Sequence, residues 1–427
     1  MNLPRIRLFW AVSLGHLTND IFMSMGPVLL AFLSAHVLPI TNTQIGAAIS
    51  AQQLVGAMSQ PLFGWLADRG GSRLQRWLGA GGVAWVIGLL MLSLTLALTG
   101  QFWLMVVPFA LAALGSGAFH PVGTMLAAES DGSRAASSLS YFFLLGQGGL
   151  ALGPALAGFL LDQANPAGSG QVTVAPLYVL ALLATPAVAF MALSITRSRL
   201  HPSVPLTSPA QGAGEPPVSV SLPIRAIALL ALLVALRSLA TPGSVAFIPR
   251  LFQQKGWDPT EYGLITSSFW IASGVAGVIF GQLADRYDRR YVIMLSLLLA
   301  VPALFFLPTV EGKLIAFGLA IAAGALTGGS HSVLVVLAQG MIPGSKGFAS
   351  GATLGFMFAT GALGSFVIGG LSDQIGLGTA FQIVAGAAVL AGLLALLLPA
   401  GRAQRPREAL DATTPETEAE ALPSRAR

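Results

Sequence analysis

The chain has 427 residues, of which 54% are hydrophobic and 9% charged, with a formal net charge of +5 and no cysteine. Soluble domains carry about a quarter charged residues, so this chain is dissolved in lipid. The missing cysteine excludes disulfides, thiolate metal sites and a cysteine nucleophile. The basic residues are scattered over short segments, which excludes a nucleic-acid-binding stripe.

A helix that crosses the bilayer needs about 20 apolar residues. Such runs fall near 8–34, 43–67, 77–98, 101–128, 135–161 and 174–196, then 225–250, 260–284, 291–309, 313–340, 347–373 and 377–400. This spacing predicts an all-α membrane protein with twelve transmembrane helices in two pseudo-symmetric six-helix halves, residues 1–199 and 225–400. The first run also carries His16, Asn19 and Asp20 and is followed by no small-residue cleavage site, so it is expected to be a retained helix and not a signal peptide. Residues 200–224 join the halves, with Pro202, Pro205, Pro209, Pro216 and Pro217 predicting an extended linker. The polar tail, 401–427, is expected to be disordered.

Charge placement gives the orientation. Arg5, Arg7, Arg69, Arg73, Arg76, Arg134, Arg197, Arg199, Arg225, Arg286, Arg289, Arg290, Lys346, Arg402, Arg405 and Arg407 lie on one side of the alternating topology, and Arg250, Lys255 and Lys313 on the other. The excess marks the cytoplasmic side, which predicts an inner-membrane protein with both termini and the linker in the cytoplasm.

The two halves share sequence. Gly64-Trp65-Leu66-Ala67-Asp68-Arg69-Gly70-Gly71-Ser72-Arg73 returns as Gly281-Gln282-Leu283-Ala284-Asp285-Arg286-Tyr287-Asp288-Arg289-Arg290, each a charged turn between two apolar runs. A shift of 331 − 120 = 211 takes His120 to His331, and the same shift takes Gly153 to Gly364, Gly158 to Gly369 and Asp162 to Asp373. The paired turns resemble the Gly-x-Leu-Ala-Asp-Arg-x-Gly-Arg-Arg loop signature of the major facilitator superfamily. They depart from it at Gly71-Ser72 and at Tyr287-Asp288. The resemblance implies a secondary transporter that moves a small molecule by alternating access between two repeats. Asp68, Arg69, Arg73, Asp285, Arg286 and Arg290 would then gate the cytoplasmic side.

An ionisable group inside a membrane span is costly and marks a pathway or site by default. The deep ones here are His16 and Asp20 in the first span, His120 in the fourth, Arg237 in the seventh and His331 in the tenth. Those spans are the first helices of the four three-helix units, which symmetry would gather around one axis. His16, His120, Arg237 and His331 each lie roughly 8–12 residues, or about 12–18 Å, from the cytoplasmic end of the helix, so they are expected to share one layer. The alternative for each is a polar contact that merely packs two helices. Four groups at one depth favour a site. Arg237 keeps its charge and needs an anion or water beside it. His16 and Asp20, at i and i+4, share a helix face and are placed to exchange a proton. Asn19, His120, His331 and Arg237 are the expected substrate contacts, and Asp20 with His16 the expected proton pair. Gln53 and Gln147 read as structural, and Glu129 near Arg134 as a surface or gate ion pair.

Gly149-x-x-x-Gly153-Pro154-x-x-Ala157-Gly158 in the fifth span resembles the antiporter signature of exporters in this superfamily, with Ala157 in place of one glycine. Small residues there admit a neighbouring helix, and Pro154 removes a backbone donor. His16-Leu17-Thr18-Asn19-Asp20 and Gly115-Ser116-Gly117-Ala118-Phe119-His120-Pro121 resemble the fosmidomycin-resistance branch, in which a Glu often follows His-Pro; Val122 stands there instead. The branch implies proton-coupled efflux of a drug or metabolite.

No phosphate-cradling loop, nucleophile elbow or metal-spaced His/Asp/Glu cluster is present in the sequence. The chain therefore reads as a carrier and not an enzyme, with no cofactor, partnered by a small molecule, protons and the bilayer, and monomeric. Anion uptake by symport or exchange, and a non-transporting receptor, are the other readings.

Overall fold

The computed structural model describes residues 3–130, 135–166, 172–197, 224–341 and 346–399. Linker residues 200–223, Arg134 and the 401–427 tail lie outside that set. In lipid each backbone N–H and C=O must be satisfied within the chain, and helices are the local solution to that constraint. The described elements are accordingly helical: α1 (Leu3–Ser24), α2 (Gly26–His36), α3 (Asn42–Arg69), α4 (Ser72–Arg76), α5 (Gly82–Ala97), α6 (Phe102–Glu129), α7 (Ala135–Ala164) and α8 (Ala175–Arg197), then α9 (Ile224–Ala240), α10 (Pro242–Val245), α11 (Ile248–Gln254), α12 (Pro259–Arg286), α13 (Arg289–Phe306), α14 (Lys313–Met341), α15 (Lys346–Ile375) and α16 (Leu377–Ala395). A π-helical turn, Trp77–Gly81, joins α4 to α5.

Eleven helical stretches among the described residues are long and apolar enough to cross a membrane. Helix α3, 28 residues long, is the remaining long one and is less apolar because it carries Gln44, Gln52, Gln53, Gln60 and the Asp68-Arg69 end. The first and seventh spans are each broken by proline: α1 gives way to α2 at Gly26-Pro27, and α9 to α10 at Thr241-Pro242. Proline at a helix start loses nothing, since that N–H has no intrahelical partner. Both breaks fall shortly after the ionisable residues of the same span, Asp20 and Arg237.

The sequence repeat reappears as repeated packing. Gly153 on α7 lies against Ile21 and Ser24 of α1, while Gly364 on α15, 211 residues on, lies against Ser238, Leu239 and Gly243 in the seventh span. Gly158 on α7 abuts Pro259 and Gly263 of α12, and Gly369 on α15 abuts Asn42 and Thr43 of α3. A Cβ at Gly153, Gly158 or Gly369 would overlap atoms of the facing helix, and one at Gly364 would be tight, so the close approach of α7 to α12 at Gly158 and of α15 to α3 at Gly369 depends on the missing side chains.

The halves are tied at the end remote from the Asp-Arg turns. Asn42 N donates to Asp373 Oδ1 at 3.0 Å, and Thr43 N and Oγ1 donate to Asp373 Oδ2 at 2.8 and 2.6 Å. The matching carboxylate, Asp162 Oδ2, accepts from Thr260 Oγ1 at 2.6 Å. Each Asp thus engages the first turn of a helix in the other half, where unsatisfied N–H groups favour a negative charge. Arg250 adds Nε to Asn42 Oδ1 at 3.1 Å and Nη1 to Ser34 Oγ at 2.6 Å. Nearer the middle, Ser50 Oγ donates to the Ala362 carbonyl at 2.5 Å. Towards the other end the same faces open: Gly46 and Ser50 of α3 are buried, Pro61 and Asp68 exposed, and Pro154 and Gly158 of α7 are buried while Ser140 and Leu144 are exposed.

Candidate functional site: two polar clusters, one in each half

The first cluster joins α1, α6 and α7. His16 Nδ1 lies 2.9 Å from the Phe142 carbonyl oxygen, and the imidazole stacks on the Phe142 ring with centroids 4.1 Å apart. A carbonyl only accepts, so Nδ1 carries the proton of that bond and Nε2 is turned to Asp20 Oδ2, 3.3 Å away. Gly146 makes this possible, because a Cβ there would enter the His16 ring. Across the cluster His120 Nδ1 sits 2.8 Å from the Ser116 carbonyl, which turns its Nε2 to Asp20 Oδ1 at 3.7 Å. Asn19 Nδ2 donates to Asp20 Oδ1 at 2.8 Å and to Ser116 Oγ at 3.0 Å. His16 and Asp20 are buried, whereas the His120 side chain keeps 27% of its surface exposed. Gly149 lies against Leu17 and Asp20, so the glycine-rich stretch of α7 forms the wall behind the carboxylate.

The second cluster joins α9 and α14. Arg237 is 3% exposed. Its Nη2 donates to the Thr327 carbonyl at 3.0 Å, its Nε to Ser330 Oγ at 3.3 Å and its Nη1 to His331 Nδ1 at 3.5 Å. Every one of these partners is neutral, and among the described residues Arg237 forms no ion pair. A guanidinium with five donors and only neutral acceptors is an electrostatically unbalanced group in a low-dielectric setting.

The residues expected in one central layer are therefore grouped pairwise, with His16, Asn19, Asp20 and His120 in one set and Arg237 with His331 in the other. The sequence does not single out Phe142 or Gly146, and it carries Ser116, Thr327 and Ser330 only as neighbours of His120 and His331, with no role of their own. Gly26-Pro27 and Pro242-Gly243 would have pointed there, because proline-interrupted first helices in both halves are the pattern of a binding site built on broken helices. The sequence also shows no metal-spaced set, yet the fold brings the ligand atoms of His16, Asp20 and His120 within 4.8 Å of one another. Spacing along one chain segment missed this because His120 comes from a different helix.

The turn residues are exposed. Asp68, Arg69, Arg73, Asp285 and Arg286 lie at the surface, with Arg69 stacked over Trp65 at 4.0 Å. Arg290 pairs within its own turn, Nη2 donating to Asp288 Oδ2 at 2.8 Å, and this contact lowers the Asp288 pKa.

The family model described as Major Facilitator Superfamily matches residues 8–241 and 230–425. The chain belongs to the major facilitator superfamily. It is 28% identical over 399 residues to the "Fosmidomycin resistance protein" of Escherichia coli (strain K12), covering 92% of each chain. It is 27% identical over 401 residues to an uncharacterized transporter of the same superfamily from Bacillus subtilis (strain 168), covering 92% of this chain and 93% of the other. Among solved structures it is similar to a D-xylose-proton symporter, with TM-score 0.74 at 16% identity over 93% of this chain and 99% of that one. It is also similar to a bacterial homolog of the human lysosomal transporter Spinster in an inward-facing, occupied conformation, with TM-score 0.73 at 14% identity over 93% and 97% of the two chains. The structural likenesses establish the fold, and the family makes the chain a multi-pass membrane transporter. Members of the superfamily carry small molecules and are not enzymes.

Proposed function

We propose that the chain exports a small anionic compound in exchange for protons. The observation that carries this reading is the division of charge between the halves: a buried Arg237 with neutral partners in one, and a carboxylate between two imidazoles in the other. Arg237 supplies a planar fork for a phosphonate or carboxylate, which a point charge does not. Asp20 takes up a proton, and His16 and His120 pass it on or hold it. His331 and Asn19 complete the substrate contacts.

Taken with the placement of Lys and Arg, the tied end faces outward and the open end faces the cytoplasm. In this arrangement the anion enters from the cytoplasm to Arg237 while Asp20 loses its proton to the same side. Opening of the far end, with Asp373 and Asp162 released from α3 and α12, presents both clusters to the outside. The anion then leaves and Asp20 is reprotonated. At the open end Asp68, Arg69, Arg73, Asp285, Arg286 and Arg290 close the path in that second state. The glycine-rich stretch Gly149–Gly158 lets α7 move against α1 and α12.

The test uses everted membrane vesicles, whose lumen is the former outside. With an acidic lumen, an exporter accumulates fosmidomycin inside, and collapse of the pH gradient releases it. Gradient-driven loss from preloaded vesicles would instead establish uptake by symport. Reporter fusions at Ser169 and Thr207 test the orientation. They are expected to report the external and the cytoplasmic side respectively, and agreement between them would overturn the topology.

A further inference from the structure

The trio in the first half has an unresolved electrostatic problem. Both imidazoles donate Nδ1–H to backbone carbonyls, of Phe142 at 2.9 Å and of Ser116 at 2.8 Å. When neutral, each ring therefore directs an Nε2 lone pair at the Asp20 carboxylate, from 3.3 Å to Oδ2 and 3.7 Å to Oδ1. Two lone pairs facing an anion repel it, so a positive particle belongs between them. A proton answers the shorter contact only, because 3.7 Å is beyond hydrogen-bond reach.

A divalent ion answers both contacts. Zinc binds His nitrogen and carboxylate oxygen at about 2.0–2.2 Å, which in a tetrahedral shell separates neighbouring ligands by roughly 3.4 Å. The two separations at Asp20, one to each carboxylate oxygen, lie close to that distance, and one ligand atom from each of the three residues can be chosen so that all lie within 4.8 Å of one another. Two imidazoles and one carboxylate with a position left open form a recognised donor set for first-row transition metals, whereas calcium and magnesium take oxygen donors. The surroundings fit as well. An Nδ1–H held by a carbonyl is the outer support that metal-binding histidines use, and Asn19 Nδ2 steadies the carboxylate at 2.8 Å. Exposure of the His120 ring supplies an entry path and room for a fourth ligand. We propose that His16, Asp20 and His120 form a binding site for one divalent transition-metal ion of the zinc class, filled in competition with protons. Binding goes beyond the transport reading and does not require it; only an effect of the metal on transport would rest on it.

The experiment uses full-length, tag-free protein in detergent, stripped by chelator and titrated with Zn²⁺ by calorimetry and with Co²⁺ by visible absorption. One ion per chain is expected, with the bands of a tetrahedral cobalt site, displaced by Zn²⁺, and an affinity that falls as the pH is lowered. His120→Gln and Asp20→Asn should each weaken binding at least about tenfold and remove the cobalt bands, while His36→Gln, outside the trio, should leave both unchanged. Size-exclusion profiles matching the wild type show that the variants are folded. The proposal is overturned if the wild type takes up no stoichiometric ion, or if affinity and spectrum survive in folded His120→Gln and Asp20→Asn. Failure here with Asp20→Asn still defective in uphill transport would leave the proton role standing. Zinc binding without proton coupling would overturn the transport reading alone.

Discussion

The two halves share a backbone plan but not a charge plan. At positions related by 211 residues, His120 faces a carboxylate held by α1, whereas His331 faces a guanidinium held by α9. The supporting groups diverge in step: Asn19, which also donates to Ser116 Oγ, donates to the carboxylate in the first half, and the Thr327 carbonyl with Ser330 Oγ accepts from the guanidinium in the second. Duplication supplied two equivalent niches beside a proline-broken first helix, and substitution gave them opposite charge. One niche is suited to binding a positive particle and the other to binding a negative one, which is what exchange of a proton for an anion requires.

The largest effect should come from emptying the first niche of charge. Asp20→Asn keeps the size and the bond to Asn19 but removes the proton site, so uphill accumulation in vesicles should fall by more than about 100-fold, the equivalent of about 3 kcal/mol. Downhill exchange of labelled substrate should persist. Accumulation close to wild type would place the coupling proton elsewhere. A smaller change is expected in the second niche. Arg237→Lys keeps the charge but loses the fork to Thr327 and Ser330, so half-saturation for the substrate should rise about tenfold, or about 1.4 kcal/mol, with the coupling intact. Unchanged affinity, or lipophilic cations as the preferred substrates, would break the anion assignment.

The far-end ties allow a finer version of the comparison. Asp373 accepts three bonds from α3, and Asp162 accepts one from α12. Removing a hydrogen bond to a charged group costs about 1.5–3 kcal/mol, so Asp373→Asn should shift the carrier towards its outward-open state more than Asp162→Asn does. Because the chain has no cysteine, a Ser50→Cys reporter, buried against the Ala362 carbonyl, reads this directly. Its labelling rate should rise several-fold with Asp373→Asn and less with Asp162→Asn. Equal rates in both would show that the two ties do not hold the end closed. The smallest effect is expected at the open end. Asp288 caps α13 by accepting from Arg290 N at 2.9 Å, and Asp288→Ala should cost about 1 kcal/mol in thermal stability with transport retained.

Much of the fold was legible because its causes are local or periodic. Long apolar runs give membrane helices whatever their neighbours, and the 211-residue shift exposed the repeat that later appeared as matched packing of Gly153 with Gly364 and of Gly158 with Gly369. The ionisable residues were legible through their cost in lipid. Their grouping was not, since it depends on which carbonyl each imidazole finds. Phe142 and Ser116 orient the histidines through backbone atoms, which leave no mark in side-chain identity. Gly146 could have been noticed one turn before Gly149, but its reason for being glycine is a ring from another helix. Asp162 and Asp373 were visible as a matched pair, whereas their partners at the starts of α12 and α3 required the halves to be docked.

The division of labour between the halves is tested most directly by following protons and substrate together in proteoliposomes, with a lumenal pH dye and a substrate gradient. The wild type should move protons when, and only when, fosmidomycin moves, and Arg237→Lys should do so at higher substrate concentrations. Asp20→Asn should exchange substrate without moving protons. Proton movement retained in Asp20→Asn, or lost in Arg237→Lys while substrate still crosses, would contradict the assignment of the proton to the first half and the anion to the second.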